Sequence, residues 1–300
     1  MNNTKTSTGI ILAILATLIW SGNFIIARGV IKTIPPVSLA FFRWSTAVVL
    51  LLPIAWTHLG KDLRVLKTHW VPLLFTALMG VSLYNTFIYI SGHYSEAINL
   101  ALLATTSSPI MTVILARIFL KERIPPQRII GMSICVIGIL LLLSKGNPAT
   151  LYHFTFSKGD WWALASAFCF AVYNIMVRRT KVDIRPTSFL FIVFTLGTLL
   201  LLPFYLYEFN QQGGFELTWN NAGVILYLGL GACVISYLLW NRAIQYLGAA
   251  TTALFGNLIP VFSTLEAVWI LGEKIRWFHI AGFALVILGL ALSNYRKKPN

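Results

Sequence analysis

Long apolar segments separated by short polar, proline-rich or charged breaks are the main pattern of this chain. As a helix, about 20 apolar residues cross the hydrocarbon core of a bilayer. Ten segments of about that length occur, approximately at residues 9–28, 37–57, 70–91, 96–119, 126–144, 160–179, 187–206, 220–241, 248–271 and 277–295. The mostly short connections make neighbouring helices antiparallel. The pattern predicts an all-α membrane protein with ten transmembrane helices.

Composition and charge placement agree with a membrane protein and indicate its orientation. Charged residues make up 11% of the 300 residues and hydrophobic residues 57%, whereas soluble domains carry about 25% charged residues. With the N-terminus in the cytoplasm, 16 of the 23 Lys and Arg residues flank the inner ends of the segments, six flank the outer ends, and Arg43 lies inside the second segment. The positive-inside rule then predicts that both termini are cytoplasmic, in a bacterial-type inner membrane. The net charge of +14 reflects this orientation, and no nucleic-acid partner is expected.

The second half of the chain repeats features of the first half at an offset of about 151 residues. The matched pairs are Asn23 with Asn174, Gly80 with Gly231, Pro109 with Pro260, Glu122 with Glu273, Gly131 with Gly282, and Gly138 with Gly289. Gly and Pro are common in membrane helices and could coincide by chance, but the Asn and Glu matches argue against coincidence. We expect two five-helix repeats, 1–147 and 148–300, in one integrated transmembrane domain. Because five is odd, the repeats are inverted, an architecture that supports alternating access to one site near the midplane.

The run from Trp20 to Phe24, followed by Arg28, resembles the first helix of EamA-type members of the drug/metabolite transporter superfamily. The stretches 101–122 and 253–273 resemble two copies of a further pattern of that family. The resemblance implies ten helices in two inverted repeats around a central cavity, lined by the first, third, fourth, sixth, eighth and ninth helices. It also implies export or exchange of small metabolites, often amino acids, and it does not name a substrate.

Polar side chains at membrane depth are costly unless they are paired or face a water-filled cavity, so they are the first candidates for substrate binding. Asn23 and Asn174 lead because the predicted symmetry relates them. An amide offers donors and an acceptor that suit a zwitterion; the alternative role is a contact between helices. The other candidates, mostly aromatic, are Trp20, Tyr84, Asn85, Tyr89, Tyr173, Trp240 and Asn257. Aromatic walls with a few polar groups are typical of small-molecule sites, although aromatic residues near helix ends also form interfacial belts.

Two prolines interrupt the fourth and ninth segments near their centres. Pro109 and Pro260 each remove a backbone donor, which predicts a kink and an exposed carbonyl near Thr105 and Gly256 respectively. Asn257 lies in the same turn as Gly256. These carbonyls either contribute to a binding site or are satisfied locally at a hinge.

Two charged residues lie inside segments, and two more lie at segment ends. Glu266 is either a proton-coupling carboxylate, a hydrated residue near the outer interface, or a partner of Arg43 or Arg242. Arg43 either extends its side chain to the membrane surface, pairs, or recognises a substrate carboxylate. The repeated Glu122 and Glu273 are expected to fix loops rather than touch substrate.

The sequence offers no support for a metal, a cofactor or catalytic machinery. Neither a Walker A run nor a G-x-S-x-G or H-E-x-x-H motif occurs, and the three cysteines are isolated in apolar segments. We therefore expect a secondary transporter with a small-molecule substrate in a lipid bilayer, of undetermined oligomeric state. The alternatives are a nucleotide-sugar or sugar-phosphate exchanger, which would need basic residues in the cavity, and an intramembrane enzyme or a channel.

Overall fold

The computed structural model describes residues 3–30, 33–94, 97–147, 149–152, 156–180, 184–271 and 275–294. Every regular element in these ranges is helical. The α-helices are α1 (Asn3–Val30), α2 (Pro36–Ala77), α3 (Tyr84–Tyr94), α4 (Ala97–Phe119), α5 (Pro126–Leu143), α6 (Ala149–Tyr152), α7 (Lys158–Arg179), α8 (Pro186–Gln212), α9 (Trp219–Tyr227), α10 (Ser236–Leu247), α11 (Ala249–Leu254), α12 (Ile259–Leu271) and α13 (Trp277–Asn294). The predicted all-α class is therefore confirmed over the described part of the chain.

The starts of several helices follow from residues that favour a helix N-terminus. Proline opens α2, α5 and α8, where its missing N–H would have no partner within the helix. A capping box opens α7: the Ser157 N–H donates to Asp160 Oδ2 at 2.6 Å, and the Asp160 N–H donates to Ser157 Oγ at 3.3 Å. Local sequence thus determines where these helices begin.

Eight of the described helical stretches are long and apolar enough to cross a membrane, and they coincide with predicted segments 1–3, 5–8 and 10. The fourth segment contributes the shorter apolar helix Leu103–Phe119. In the ninth, a 3-10 turn over Phe255–Leu258 separates α11 from α12, because Pro260 has no N–H to offer the carbonyl of Gly256. Ten membrane helices remain a prediction.

The charged break between the second and third segments is helical rather than irregular. Helical backbone continues through it, and α2 departs from helical geometry only at His69, where φ is −124° and ψ is 24°. Lys, Arg and Leu are good helix formers, so the chain changes direction at one residue instead of through a loop.

Two π-helical segments interrupt the third and eighth predicted segments. The first covers Leu78–Leu83 and the second Leu228–Ile235, so they occupy corresponding positions of the two predicted halves. Each is largely buried, and each precedes a helix that carries residues of the site described below. Such segments are rare in proteins and often lie at functional sites.

Glycines spaced seven residues apart allow α5 and α13 to pack closely. An added Cβ at Gly138 would lie 2.9 Å from the carbonyl oxygen of Gly282, and one at Gly282 would lie 3.1 Å from that of Gly138. Gly131 and Gly289 make the same kind of backbone contact one spacing away. Only residues without a side chain allow two helices to approach this closely. This contact therefore joins the last helix of the first predicted repeat to the last helix of the second.

Candidate substrate cavity

A cavity lies between helices from both halves of the chain. The residues that line it are Trp20, Tyr84, Ala104, Thr105, Ser108, Pro109, Phe170, Asn174, Trp240, Ala253, Gly256 and Ile259. They come from the first, third, fourth, sixth, eighth and ninth segments, which are the six that the resemblance implied. The structure therefore brings together four of the proposed binding residues, Trp20, Tyr84, Asn174 and Trp240, with one of the kink prolines, Pro109.

The cavity is narrow in this conformation. Its volume is about 30 Å³. That is room for one or two water molecules. A metabolite therefore enters only if the surrounding helices separate.

Aromatic rings form one wall of the cavity. The ring centres of Trp20 and Trp240 are 5.0 Å apart, and those of Trp20 and Phe170 are 5.6 Å apart at an angle of 80°. Tyr84 stacks on Phe170 at 4.5 Å. Phe170 was missed by sequence reasoning because an apolar side chain in a membrane helix is equally compatible with facing lipid, another helix or the cavity. Its position one helical turn before Asn174, on the same face of α7, was the available signal.

Asn174 is the polar centre of this wall. It is fully buried; its Oδ1 accepts a 2.8 Å hydrogen bond from Trp240 Nε1, and its Nδ2 donates to Thr112 Oγ1 at 3.4 Å. The amide thus makes contacts between helices and also lines the cavity, and its role in substrate binding stays a prediction. An amide can make up to four hydrogen bonds, which leaves capacity for a ligand.

The two interrupted helices meet at the cavity. A Cβ added at Gly256 would lie 3.6 Å from Cγ of Pro109, which places the kink of the fourth segment against the 3-10 turn of the ninth. Thr105 and Ser108 line the cavity beside Pro109. Two residues with hydroxyl side chains therefore line the same space as the aromatic wall.

Four other proposed binding residues lie outside the lining. Tyr173 packs on Gly80 behind the cavity and donates a 2.8 Å hydrogen bond to Asn241 Oδ1. Asn257 is buried and is not one of the lining residues, although it follows Gly256 directly. Asn85 and Tyr89 bind Arg43 instead.

Asn23 belongs to α1, but its side chain lies outside the described part of the structure. Its proposed pairing with Asn174 across the cavity therefore stays a prediction.

Arg43 does not extend to the membrane surface. It is 1% exposed, and its Nη1 donates to Asn85 Oδ1 at 3.0 Å and to Tyr89 Oη at 2.6 Å, while Nε donates to Cys233 Sγ at 3.2 Å. These partners are all uncharged.

Glu266 joins α12 to α1. Its Oε1 accepts a 2.7 Å hydrogen bond from Ser21 Oγ, and Ser263 Oγ donates to the Ser21 carbonyl at 3.2 Å. The expected partner Arg242 is exposed and donates to Tyr246 Oη at 2.9 Å. Glu266 therefore ties two helices together beyond the cavity rather than forming an ion pair with Arg242.

Three polar contacts join other helices on the side of the cavity opposite Glu266. Glu122 Oε1 accepts from the Ala249 N–H at 3.3 Å, at the start of α11. Arg128 donates to Thr251 Oγ1 at 2.9 Å, and Arg178 donates to the carbonyl of Gln245 at 2.9 Å. Glu122 thus fixes a loop to a helix N-terminus, where a negative charge is favourable. Its repeat partner Glu273 lies outside the described residues.

Within the described ranges, no group of three or more His, Cys, Asp or Glu residues is placed to hold a metal ion. The three cysteines are buried and unbridged.

The chain is similar to several known transporters along nearly its whole length. It is 28% identical to an uncharacterised transporter of Bacillus subtilis (YyaM), covering 94% of this chain and 92% of that protein. It is also 28% identical to an uncharacterised transporter of Archaeoglobus fulgidus, covering 98% and 99% of the two chains. A Salmonella typhimurium protein named "Probable amino-acid metabolite efflux pump" is 24% identical over 94% of this chain and 93% of its own length.

Comparison with solved structures and with family models agrees with these relatives. One crystal structure superposes with a TM-score of 0.79 at 20% identity over 96% of each chain, which supports the fold. The model of the EamA-like transporter family matches twice, at residues 7–144 and 157–295. Together with eight apolar helices long enough to span a bilayer, these matches show that the chain is a multi-pass integral protein of the cytoplasmic membrane and belongs to the EamA-like transporter family.

Proposed function

We propose that this transporter is a secondary carrier that exports or exchanges small polar metabolites, such as amino acids, by alternating access. The observation that carries the proposal is the narrow cavity between the two halves, where an aromatic wall faces a buried amide and two interrupted helices. Small-molecule sites combine apolar walls with a few polar groups in this way.

The uncharged lining favours a zwitterionic or neutral substrate. None of the described residues that line the cavity is charged, so a phosphate group would have no cation there to bind. Asn174, Thr105 and Ser108 supply donors and acceptors for an ammonium and a carboxylate group. The nucleotide-sugar and sugar-phosphate alternatives lack the basic lining that they require.

Two features support the inverted-repeat architecture on which alternating access depends. The family model matches the chain twice, with one match in each proposed half of 1–147 and 148–300. The π segments at Leu78–Leu83 and Leu228–Ile235 also occupy corresponding positions. With both termini in the cytoplasm, as the charge distribution predicts, the two halves would cross the membrane in opposite directions.

The contacts on either side of the cavity supply the gates of the proposed cycle. Glu122, Arg128 and Arg178 join helices at the end predicted to be cytoplasmic, and Glu266 and Ser21 join α12 to α1 at the other. With both sets formed, the narrow cavity corresponds to an occluded state. Breaking one set at a time would open the site to one side only.

Counterflow in proteoliposomes tests this function. Vesicles loaded with one unlabelled amino acid should accumulate the labelled amino acid transiently, and a panel of amino acids would identify the substrate. Accumulation without trans-stimulation would indicate a channel, and chemical conversion of the substrate would indicate an enzyme; either result contradicts the proposal.

Asn174→Ala tests the site itself. We expect a loss of about 2- to 10-fold in apparent affinity, because one hydrogen bond to substrate contributes about 0.5–1.5 kcal/mol. Asn210→Ala is the matched control, since Asn210 is an exposed amide near the end of α8. Normal transport by purified Asn174→Ala would show that substrate binds elsewhere.

A further inference from the structure

Arg43 stands at the centre of a buried polar cluster outside the cavity lining. The Arg43 cluster consists of Arg43 and Trp44 on α2, Asn85 and Tyr89 on α3, and Cys233 in the second π segment. Each of these residues is at most 3% exposed. Asn85 Oδ1, Tyr89 Oη and Cys233 Sγ accept hydrogen bonds from the guanidinium, and the guanidinium carbon lies 5.2 Å from the centre of the Trp44 ring.

The charge of this cluster is not balanced by its described members. The guanidinium is a permanent cation, yet an amide, a phenol and a thiol are its hydrogen-bond partners. A buried charge is strongly unfavourable unless an opposite charge pairs with it. Glu266, a deep carboxylate, accepts from Ser21 instead.

The cluster also has more donors than acceptors. Asn85 Nδ2 and Trp44 Nε1 are both buried without a hydrogen-bond partner among the described residues. Asn85 uses its oxygen for Arg43, so its free amide hydrogens stay beside the guanidinium. Buried donors without partners are rare in folded proteins, and each is costly.

We propose that the Arg43 cluster binds a small monovalent anion, either a carboxylate or a halide. One anion would balance the single cation and accept from the unpaired donor of Asn85. The site lies one layer behind the cavity, because Asn85 follows the lining residue Tyr84, and Tyr237 separates Trp44 from Trp20 with ring contacts of 5.4 and 5.5 Å. The anion is then either a resident inorganic ion or the carboxylate of the transported metabolite.

The experiment uses purified full-length protein and does not depend on transport, so it can fail without affecting the proposed function. The protein is exchanged into sodium isethionate, whose sulfonate anion is neither a carboxylate nor a halide, and titrated with chloride or formate at constant ionic strength while the unfolding midpoint is measured. Because a ligand that binds only the folded state stabilises it by mass action, we expect a saturable rise of about 2–4 °C.

Asn85→Asp supplies a carboxylate in place of the bound anion. We expect this variant to have a higher midpoint than the wild type in isethionate and to lose the response to added anions. Asn210→Asp makes the same change at an exposed position on α8 and should keep the response. If Asn85→Asp does not fold, Arg43→Gln should show the same loss of response.

The outcomes distinguish a resident inorganic ion from a substrate carboxylate, and they also show whether the Arg43 cluster binds an anion at all. Stabilisation by chloride, with or without formate, identifies a resident inorganic ion, and stabilisation by formate alone identifies a carboxylate of the substrate. A wild-type midpoint that is equal in all anions overturns the proposal. So does a response of Asn85→Asp that equals that of the wild type, because the anion would then act elsewhere.

Discussion

The contact between Glu122 and the start of α11 should control how often the cavity opens toward the proposed cytoplasmic side. Glu122 Oε1 accepts the Ala249 N–H at 3.3 Å, next to Gly248, whose φ of +90° turns the chain into the helix. Glu122→Ala removes this cap without touching the cavity lining. Loss of a side-chain cap costs about 0.5–2 kcal/mol, and the long bond argues for the lower part of that range. A change of about 1 kcal/mol should raise the inward-open population about fivefold.

Cysteine accessibility can measure that population. The native cysteines are all buried, so Ser108→Cys introduces a reporter that lines the cavity. In inside-out vesicles, a membrane-impermeant maleimide reaches this thiol only when the cytoplasmic side is open. Adding Glu122→Ala should therefore raise the labelling rate about fivefold.

A matched substitution decides whether the effect is specific. Glu216→Ala removes an exposed carboxylate from the loop before α9 and should leave the labelling rate unchanged. The reasoning is refuted if Glu122→Ala labels at the parental rate, or if both variants accelerate labelling equally.

Three further predictions concern stability and coupling. Glu208 accepts three hydrogen bonds at the start of α2, from the Val37 N–H at 3.0 Å, the Ser38 N–H at 2.7 Å and Ser38 Oγ at 2.8 Å. Glu208→Ala should therefore lower the free energy of unfolding by about 2–3 kcal/mol. A loss below about 0.5 kcal/mol in denaturant unfolding would contradict this prediction. Gly138→Ala should cost about 1–3 kcal/mol because its Cβ meets backbone, whereas Gly223→Ala, with open space around it, should not lower the thermal midpoint. If Glu266 carries a coupled proton, Glu266→Gln should make uptake independent of an imposed pH gradient; gradient-driven uptake by the variant would exclude that role.

Hydropathy was sufficient to predict the eight described helical stretches that are long enough to span a membrane, because the bilayer requires long apolar segments whatever the tertiary contacts. It was a weaker guide to which helix face lines the cavity, since lipid-facing and protein-facing surfaces are both apolar. Trp20, Tyr84, Asn174 and Trp240 were identified because polar or amphipathic side chains at membrane depth are conspicuous, and Phe170 was missed because it is neither.

Tertiary partners explain where the other proposed residues lie. Asn85 and Tyr89 were assigned to substrate, but the structure turns both toward Arg43 on another helix. No single-segment pattern contains that information, because the contact joins residues more than 40 positions apart. The interruption of the ninth segment was predicted from Pro260. The two π segments were not predicted, because no residue pattern in the sequence analysis pointed to them.

The first π segment has a consequence for interpreting this protein from a helical wheel. A π turn holds about one residue more than an α turn, and each residue of an α-helix advances about 100° around the axis. A wheel drawn from Lys67 across Leu78–Leu83 with uniform α geometry would therefore assign Tyr84 and Asn85 to the wrong sides of the helix. Deleting one residue within Leu78–Leu83 would therefore let the segment form regular α turns with Tyr84 still in the cavity wall, whereas substitutions that force all six residues into α geometry would rotate Tyr84 out of it.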